Sequence, residues 1–435
     1  MLMNTPIRDF LQSYQESNTL RMHMPAHKGL SYPHDITEIS GADSLFEASG
    51  IIAESERNAS KLYGTLATYY STAGSTLSIQ AMLYMVKKEH RTLYAVRNVH
   101  RSFLNACVLL DLNVHWIYPN YENTIISGTI DIQALKDTLK QDTSLKAVYV
   151  TSPDYYGMVA DIQSISRVCK QYNAILLVDN AHGTLLNFLP KSIHPIHLGA
   201  DMCSDSAHKM LPVLTGGGYL HINNRRYVPL GKEAMATFGS TSPSYLIMES
   251  LDLANQYIAN SVRKDLLYVM EQISNLKKAL KHKYTFADSV EPLHLTILAW
   301  KDNYSGIDLA NALREYNIEC EYSDAQSVVL LFSPLDKQDT FNRLYSALDS
   351  ITIDKTTKEY PILVVPKLRS VLSPKEAVFS ESETIPIEQA NGRVCSAVKV
   401  PCPPAIPIAV SGEVINAESI NIFKRYGINL ISVVK

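Results

Sequence analysis

At 435 residues, with 46% hydrophobic and 19% charged side chains, the chain can bury an interior large enough for two or three domains and is too apolar to be disordered. Lysine and arginine number 40 against 43 acidic residues, a net charge of −3, so there is no basic excess to neutralise a phosphate backbone and nucleic acid is not an expected partner. Six cysteines, Cys107, Cys169, Cys203, Cys320, Cys395 and Cys402, show no CxxC spacing and are expected as reduced, mostly buried thiols of a cytoplasmic protein. The opening MLMNTPIRDFLQSYQESNTL lacks the charged-then-apolar order of a secretory leader. The most apolar helical run, LNACVLLDLNV, is short and broken by Asp111, so no membrane span is expected.

In chain order, the first readable element is YYSTAGSTLSIQAMLYMVKKEH, which turns at Gly74 and enters a helix at Ser75 or Thr76 with Ile79, Met82, Leu83 and Val86 on its buried face. A Gly-Ser-Thr turn at the positive end of a helix offers backbone N–H groups and two hydroxyls to an anion; the same residues also serve as ordinary helix caps. LKAVYVTSP reads as a buried strand. DIQSISRVCKQY follows as a helix opened by Asp161, with Ile162, Ile165, Val168, Cys169 and Tyr172 on one face. AILLVDNAHG, ADMCSDSAHK and GGGYLHIN supply further strands, and this alternation implies a parallel sheet packed against helices. Ligands of such sheets bind beyond the carboxyl ends of the strands, and Asp179 and Lys209 both fall on that rim.

Downstream of about residue 246 the pattern changes, and SYLIMESLDLANQYIANSVRKDLLYVMEQISNLKKALK is long, amphipathic and helical. It leads to a smaller α/β unit containing LHLTILAW and SVVLLFS, with DKQDTF and DKTTKEYP as loops. The chain then becomes proline-rich, most densely in VPCPPAIPIAVSGEVI. The boundaries expected are an arm over 1–30, a large domain over 31–255, a small α/β domain over 256–355 and a C-terminal domain over 356–435.

Lys209 sits in SDSAHKMLPVLTGGG, beside a histidine and ahead of three glycines, an odd place for a solvated surface charge. Pyridoxal phosphate would explain it. That cofactor needs a lysine for a Schiff base, a carboxylate on its ring nitrogen, an anion cradle for its phosphate and usually a ring stacked on its face. Lys209 can supply the first and Asp179 the second. Ser75 and Thr76, with Ser206 and His208, can serve the phosphate, and His100 in RNVHRSFLNA can stack on the ring. Each residue also has an ordinary alternative: Asp179 as a turn cap, His100 as a surface or core histidine, Ser206 as a strand end.

Seven blocks in order resemble the ornithine/lysine/arginine decarboxylases of the aspartate-aminotransferase fold over most of the chain: MPAHKGL, STAGSTLSIQAML, RNVHRS, LLVDNAHG, SDSAHKMLPVLTGGGYL, TSPSYLIMESLD and PPAIPIAVSGEVI. The resemblance implies an α/β protein of the pyridoxal-phosphate fold type I, with a mainly parallel sheet flanked by helices and smaller α/β C-terminal domains. It implies that Lys209 carries the cofactor, that Asp179 binds the pyridine nitrogen and that His100 stacks on the ring. Gly74, Ser75, Thr76, Ser206 and His208 would hold the phosphate, with Ala181 and His182 also at the cofactor. Ser240 or Thr241, in FGSTSPS, would complete the phosphate site of a neighbouring subunit, making a homodimer the smallest active unit. Two departures stand out: Asn180 replaces the family's Glu beside the ring aspartate, and Ala26 replaces the Gly of the N-terminal motif.

The activity implied is decarboxylation of arginine, lysine or ornithine to the amine, feeding polyamine synthesis. It requires the Cα–carboxylate bond to stand perpendicular to the cofactor ring, and His208 or Lys209 to return a proton to Cα. Glu413, in the C-terminal block, is expected to meet the substrate's distal cation. Three rivals remain: transamination or aldol cleavage on the same fold, a regulatory homologue that only binds the cofactor, and a metal hydrolase using His23, His27, Asp201 and Asp205. Against the last, the proline and glycine of MPAHKG spoil the helix its histidine spacing would need; no metal is expected.

Overall fold

The computed structural model describes residues 3–121, 124–352, 365–397 and 406–435. The expected loop DKTTKEYP, the densest prolines at 401–404, Cys402 and the boundary at 355 lie outside the described residues. Backbone contacts divide the chain into two compact units that interleave along the sequence. One comprises Met1–Arg91, Leu145–Tyr149 and Ile162–Asp265; the other comprises Thr92–Ser144, Val150–Asp161 and Leu266–Lys435.

The central sheet has seven strands, β1 (Ala67–Ser71), β2 (Thr92–Val96), β3 (Val114–Ile117), β4 (Lys146–Thr151), β5 (Ala174–Asp179), β6 (Met202–Asp205) and β7 (Gly218–Ile222), in the order β1-β7-β6-β5-β4-β2-β3. β2 and β3 run parallel, as do β5 and β6. β7 is antiparallel to both its neighbours, β6 and β1. The expected run of parallel strands therefore breaks at β7, because the connection from β6 holds only a one-turn helix, Ala207–Met210, and a glycine turn. That is too little chain for a crossover back to the other end of the sheet.

Within the first unit, β5 is buried along its whole length, which is why it reads as an unbroken apolar run. Helix Ile162–Gln171 buries Ile162, Ile165, Val168 and Cys169, the face its spacing predicts. Helix Gly74–Lys88 buries Ile79, Met82, Leu83 and Val86 and most of its other face as well. The long helical stretch expected downstream of about residue 246 is two helices, Tyr245–Asn260 and Val262–Leu280, because Ser261 leaves the helical region at φ −132°.

The second unit carries a three-stranded antiparallel sheet in which His294–Ile297 and Tyr322–Ser323 flank Val328–Leu331. DKQDTF is only half a loop: a helix starts at Gln338, since Phe341 and Leu344 have a core to enter. Near the C-terminus, Ser382–Pro386 pairs with Leu430–Val434. Helix Arg101–Leu110 is stopped by Asp111 in the left-handed conformation, φ 53°. Cys107, Cys169, Cys203 and Cys395 are buried free thiols and Cys320 is half-buried. Among the described residues no helix is long and apolar enough to cross a membrane.

Candidate active site

Three chain segments of the first unit meet at the carboxyl ends of β5 and β6. The first is the corner between β1 and helix Gly74–Lys88. Gly74 has φ +64°, a left-handed turn that glycine adopts without strain, and its N–H donates to the Gly216 carbonyl at 2.6 Å. The N-cap position is Ala73, which offers no side-chain cap. Ser75 and Thr76 lie inside the first turn, so the capping alternative does not apply to them. Their backbone N–H groups have no acceptor within the helix. Ser75 Oγ is 3.0 Å from Ser206 Oγ, which joins this corner to the segment after β6. The third glycine of GGG permits that approach: a Cβ on Gly218 would stand 2.9 Å from the Asp205 carbonyl oxygen and 3.2 Å from the Gly74 carbonyl carbon.

Lys209 follows in the one-turn helix, and its Nζ donates to His182 Nε2 at 2.9 Å. His208 is fixed by its own backbone neighbour: Nδ1–H donates to the Gly217 carbonyl at 2.9 Å, so in the neutral ring Nε2 carries no proton. Burial, with the Lys209 charge adding to it, pushes the His208 pKa below its ordinary value. Both effects favour the neutral ring of His208, with its proton on Nδ1.

Asp179 ends β5 and is 2% exposed. Burial raises its pKa to about 6 against the pull of the Lys209 ammonium, the Ala181 N–H on Oδ1 at 3.2 Å and the Tyr149 hydroxyl on Oδ2 at 3.2 Å. A carboxylate so buried gains from a cationic partner. Tyr149 was not anticipated; it lies in AVYV, read simply as an apolar strand, and the only signal was that a buried tyrosine needs a partner for its hydroxyl.

Asn180 is explained by Asp205. Its Nδ2 donates to Asp205 Oδ1 at 2.8 Å, and both residues are fully buried. Asp205 Oδ2 also accepts from His194 Nε2 at 3.1 Å. Burial would raise the Asp205 pKa, but His194 and His221 outweigh it and hold this carboxyl well below the usual range. A glutamate at 180 would set a second buried carboxylate against the first. The anion of this layer sits on residue 205, and Asn180 is the neutral donor that tolerates it.

Among the described residues, one group of possible metal ligands comes together, His194, Asp205 and His221, within 4.8 Å of one another. Hydrogen bonds hold the Nδ1 atoms, His194 Nδ1 accepting from the Ile196 N–H and His221 Nδ1 pairing with Thr68 Oγ1 at 2.9 Å, while His221 Nε2 is 3.4 Å from Asp205 Oδ2. The other residues of the hydrolase alternative do not join them. His27 pairs with Asp35, His23 with the Tyr14 hydroxyl, and Asp201 accepts from the Leu176 N–H.

His100 and Glu413 belong to the second unit. His100 is exposed and caps helix Arg101–Leu110, accepting from the Ser102 N–H at 3.2 Å. Glu413 is fully buried, and its Oε2 accepts from Arg97 Nη2 at 2.6 Å and from the Val410 N–H at 2.8 Å. The Arg97 guanidinium in turn lies over the Trp116 ring, 4.7 Å from its centre. Glu413 Oε2 is thus paired within its own unit, while Oε1 is buried without a hydrogen-bond partner. Ser240 and Thr241 are exposed.

Residues 30–304 match the major domain of the Orn/Lys/Arg decarboxylases, and residues 354–426 match their C-terminal domain. The chain belongs to this family. It is a pyridoxal-phosphate-dependent decarboxylase of fold type I. An arginine decarboxylase of Bacillus subtilis is 29% identical, over 97% of this chain and 93% of its own length. An uncharacterized Bacillus subtilis protein, YaaO, is 30% identical over 97% and 94%. Among solved structures, the Francisella novicida lysine decarboxylase LdcF superposes with a TM-score of 0.84 at 16% identity, covering 99% of this chain and 81% of that one. A Sphingomonas wittichii serine palmitoyltransferase reaches 0.58 at 13% identity, covering 80% and 84%, a likeness of fold alone. The first unit's rim fits the family's cofactor in its donor set: first-turn N–H groups and serine hydroxyls for a phosphate, a buried carboxylate raised by burial for a cationic ring nitrogen, and a lysine amine beside it.

Proposed function

We propose that the chain decarboxylates a basic amino acid, arginine, lysine or ornithine, releasing carbon dioxide and the amine for polyamine synthesis, with Lys209 as the residue that binds pyridoxal phosphate. The observation that carries this reading is the meeting of Lys209, Asp179 and the Gly74–Thr76 corner on one rim of the sheet. When bound, the cofactor supplies an electron sink for the pair left at Cα.

The protein's own residues have distinct tasks. Asp179, with hydrogen bonds on both carboxylate oxygens, is oriented to keep a proton on the ring nitrogen. Ser75, Thr76 and Ser206, with the first-turn N–H groups, hold the phosphate, and Gly74 keeps that corner tight. Ala181 steadies Asp179 through its N–H, and His182 orients Lys209 through its Nε2. Lys209 rather than His208 returns the proton to Cα, since His208 holds its only ring proton toward Gly217. His208 instead packs beside Gly74 at the phosphate corner. His100 is assigned to the cofactor ring, and Ser240 and Thr241, exposed, to the phosphate site of a second copy, giving a homodimer.

Incubating the holoenzyme separately with arginine, lysine and ornithine and identifying the amine tests the assignment. One of agmatine, cadaverine or putrescine should form with an equal yield of carbon dioxide. A keto acid or a terminal aldehyde as sole product would replace decarboxylation by transamination, and no turnover of any of the three would leave cofactor binding alone or an aldol cleavage, which needs a β-hydroxy amino acid.

A further inference from the structure

The second unit contains a cavity of about 760 Å³ whose lining comes from several separate stretches of chain, among them residues 127–130, 158–161 and 287–288. Asn98 and Gln326, 6% and 3% exposed, contribute to its wall. Asn98 Oδ1, both polar atoms of the Gln326 side chain and Thr151 Oγ1, also in that wall, are buried without a hydrogen-bond partner. Buried amides left unbonded are costly and uncommon, and two in one wall mark a surface built for something that completes them. The Gln326 backbone is by contrast well anchored, its N–H on Asp324 Oδ1 at 2.8 Å and its carbonyl accepting from the Trp300 N–H at 3.1 Å. The side chain is therefore carried on a fixed frame.

The charges around the cavity set the sign of that ligand. Asp154 is buried in the wall, and Asp161 and Asp288 stand exposed at its edge, against one cation, Lys301. Lys277, whose charge acts on Asp288, partly offsets the acidic side. Trp300 presents a ring to which a cation is already drawn, the Lys301 ammonium lying 5.5 Å from its centre. We propose that this cavity binds a small organic cation carrying a primary ammonium or guanidinium group, received by the Asn98 and Gln326 carbonyl oxygens. The Gln326 Nε2–H donors and Lys301 are then free to meet a carboxylate on the same molecule. An amino acid with a basic side chain and the amine derived from it share the cationic end and differ in that carboxylate. Only the choice of cations to try rests on the decarboxylase reading.

The test uses the full chain loaded with cofactor and reduced by borohydride, so that Lys209 can no longer exchange with an added amine. Calorimetric titration with arginine, lysine, ornithine, agmatine, cadaverine and putrescine, and with leucine as the uncharged control, reads the cavity. At least one cation binds and leucine does not. Gln326→Leu lowers its affinity at least tenfold, whereas Gln326→Glu, which keeps the acceptor and adds a charge, holds or tightens it. Lys301→Met weakens binding of the amino acids and leaves that of the amines unchanged, which separates the two sources. Binding of none of the six cations, or binding equally tight in Gln326→Leu, overturns the proposal. Failure of borohydride to fix any cofactor would instead count against the decarboxylase reading, because the same titrations on the unreduced chain still report on the cavity.

Discussion

Two regions of this molecule are each built around a buried aspartate whose pKa burial raises to about 6, Asp179 in the first unit and Asp154 in the second. Their partners differ. Asp179 is held by the Tyr149 hydroxyl from another strand and by the Ala181 N–H, and feels the Lys209 ammonium nearby. Asp154 Oδ1 accepts the N–H groups of Tyr156 and Met158 at 2.9 and 3.0 Å, two and four residues further along its own loop. Asp154 also accepts from the Ser127 side chain and feels His294, so both carboxylates draw on separate elements, but only Asp179 faces a lysine ammonium. A perturbed pKa therefore does not by itself locate chemistry, and it is the lysine facing Asp179 that separates the two.

Substitutions can break that contrast. Asp179→Ala should lower kcat about 10²–10³-fold, the scale of losing one preorganised electrostatic partner, while cofactor absorbance persists. An unimpaired rate would remove Asp179 from the mechanism. Asn180→Glu should cost about 3 kcal/mol in denaturant unfolding, since an unpaired buried carboxylate then faces Asp205, and Asp205→Asn in the same chain should recover part of it. If Asn180→Glu were neutral, the charge of this layer would not be fixed on residue 205. Asp154→Ala should cost about 2 kcal/mol by freeing two N–H groups, with borohydride trapping of the cofactor unchanged. Loss of trapping would mean that the two aspartates are not separate in role.

The smallest effect is one of pH. The folded-state pKa of Asp179, about 6, lies above the 3.8 of an ordinary aspartate, so the folded chain takes up this proton first as pH falls. Between pH 7 and pH 5 Asp179 thus adds on the order of 1 kcal/mol to the stability of the cofactor-free chain, and the gain fades as pH rises through 6. Asp179→Asn should lack that increment. Asp154 and Asp252, raised in the same direction, remain in both proteins and cancel in the difference. Unfolding curves of the two proteins at pH 5 and 7 that shift in parallel would contradict the assignment.

What the sequence disclosed and what it hid follow the same division. Lys209, Asp179, Ser75 and Ser206 stand in short contiguous motifs, and the alternation of strands and helices already places Lys209 and Asp179 on one rim. The reversal of β7 was less legible, because it depends on how little chain joins it to β6. Asn180 looked like a defect until Asp205 was found against it, 25 residues away in sequence and 2.8 Å away in space. The pairing of Glu413 with Arg97 was not legible, because Arg97 lies 316 residues earlier. The cavity walled by Asn98, Thr151 and Gln326 was hidden because no two of these residues share a segment, although Asn98 stands in RNVHRS.

The most direct test is chemical. Holoenzyme reduced with borohydride, digested and mapped by mass spectrometry should carry the cofactor's added mass on the peptide containing Lys209, and the Lys209→Ala chain should carry none. Label on a different lysine, or trapping undiminished in Lys209→Ala, would contradict the assignment of this rim as the catalytic site.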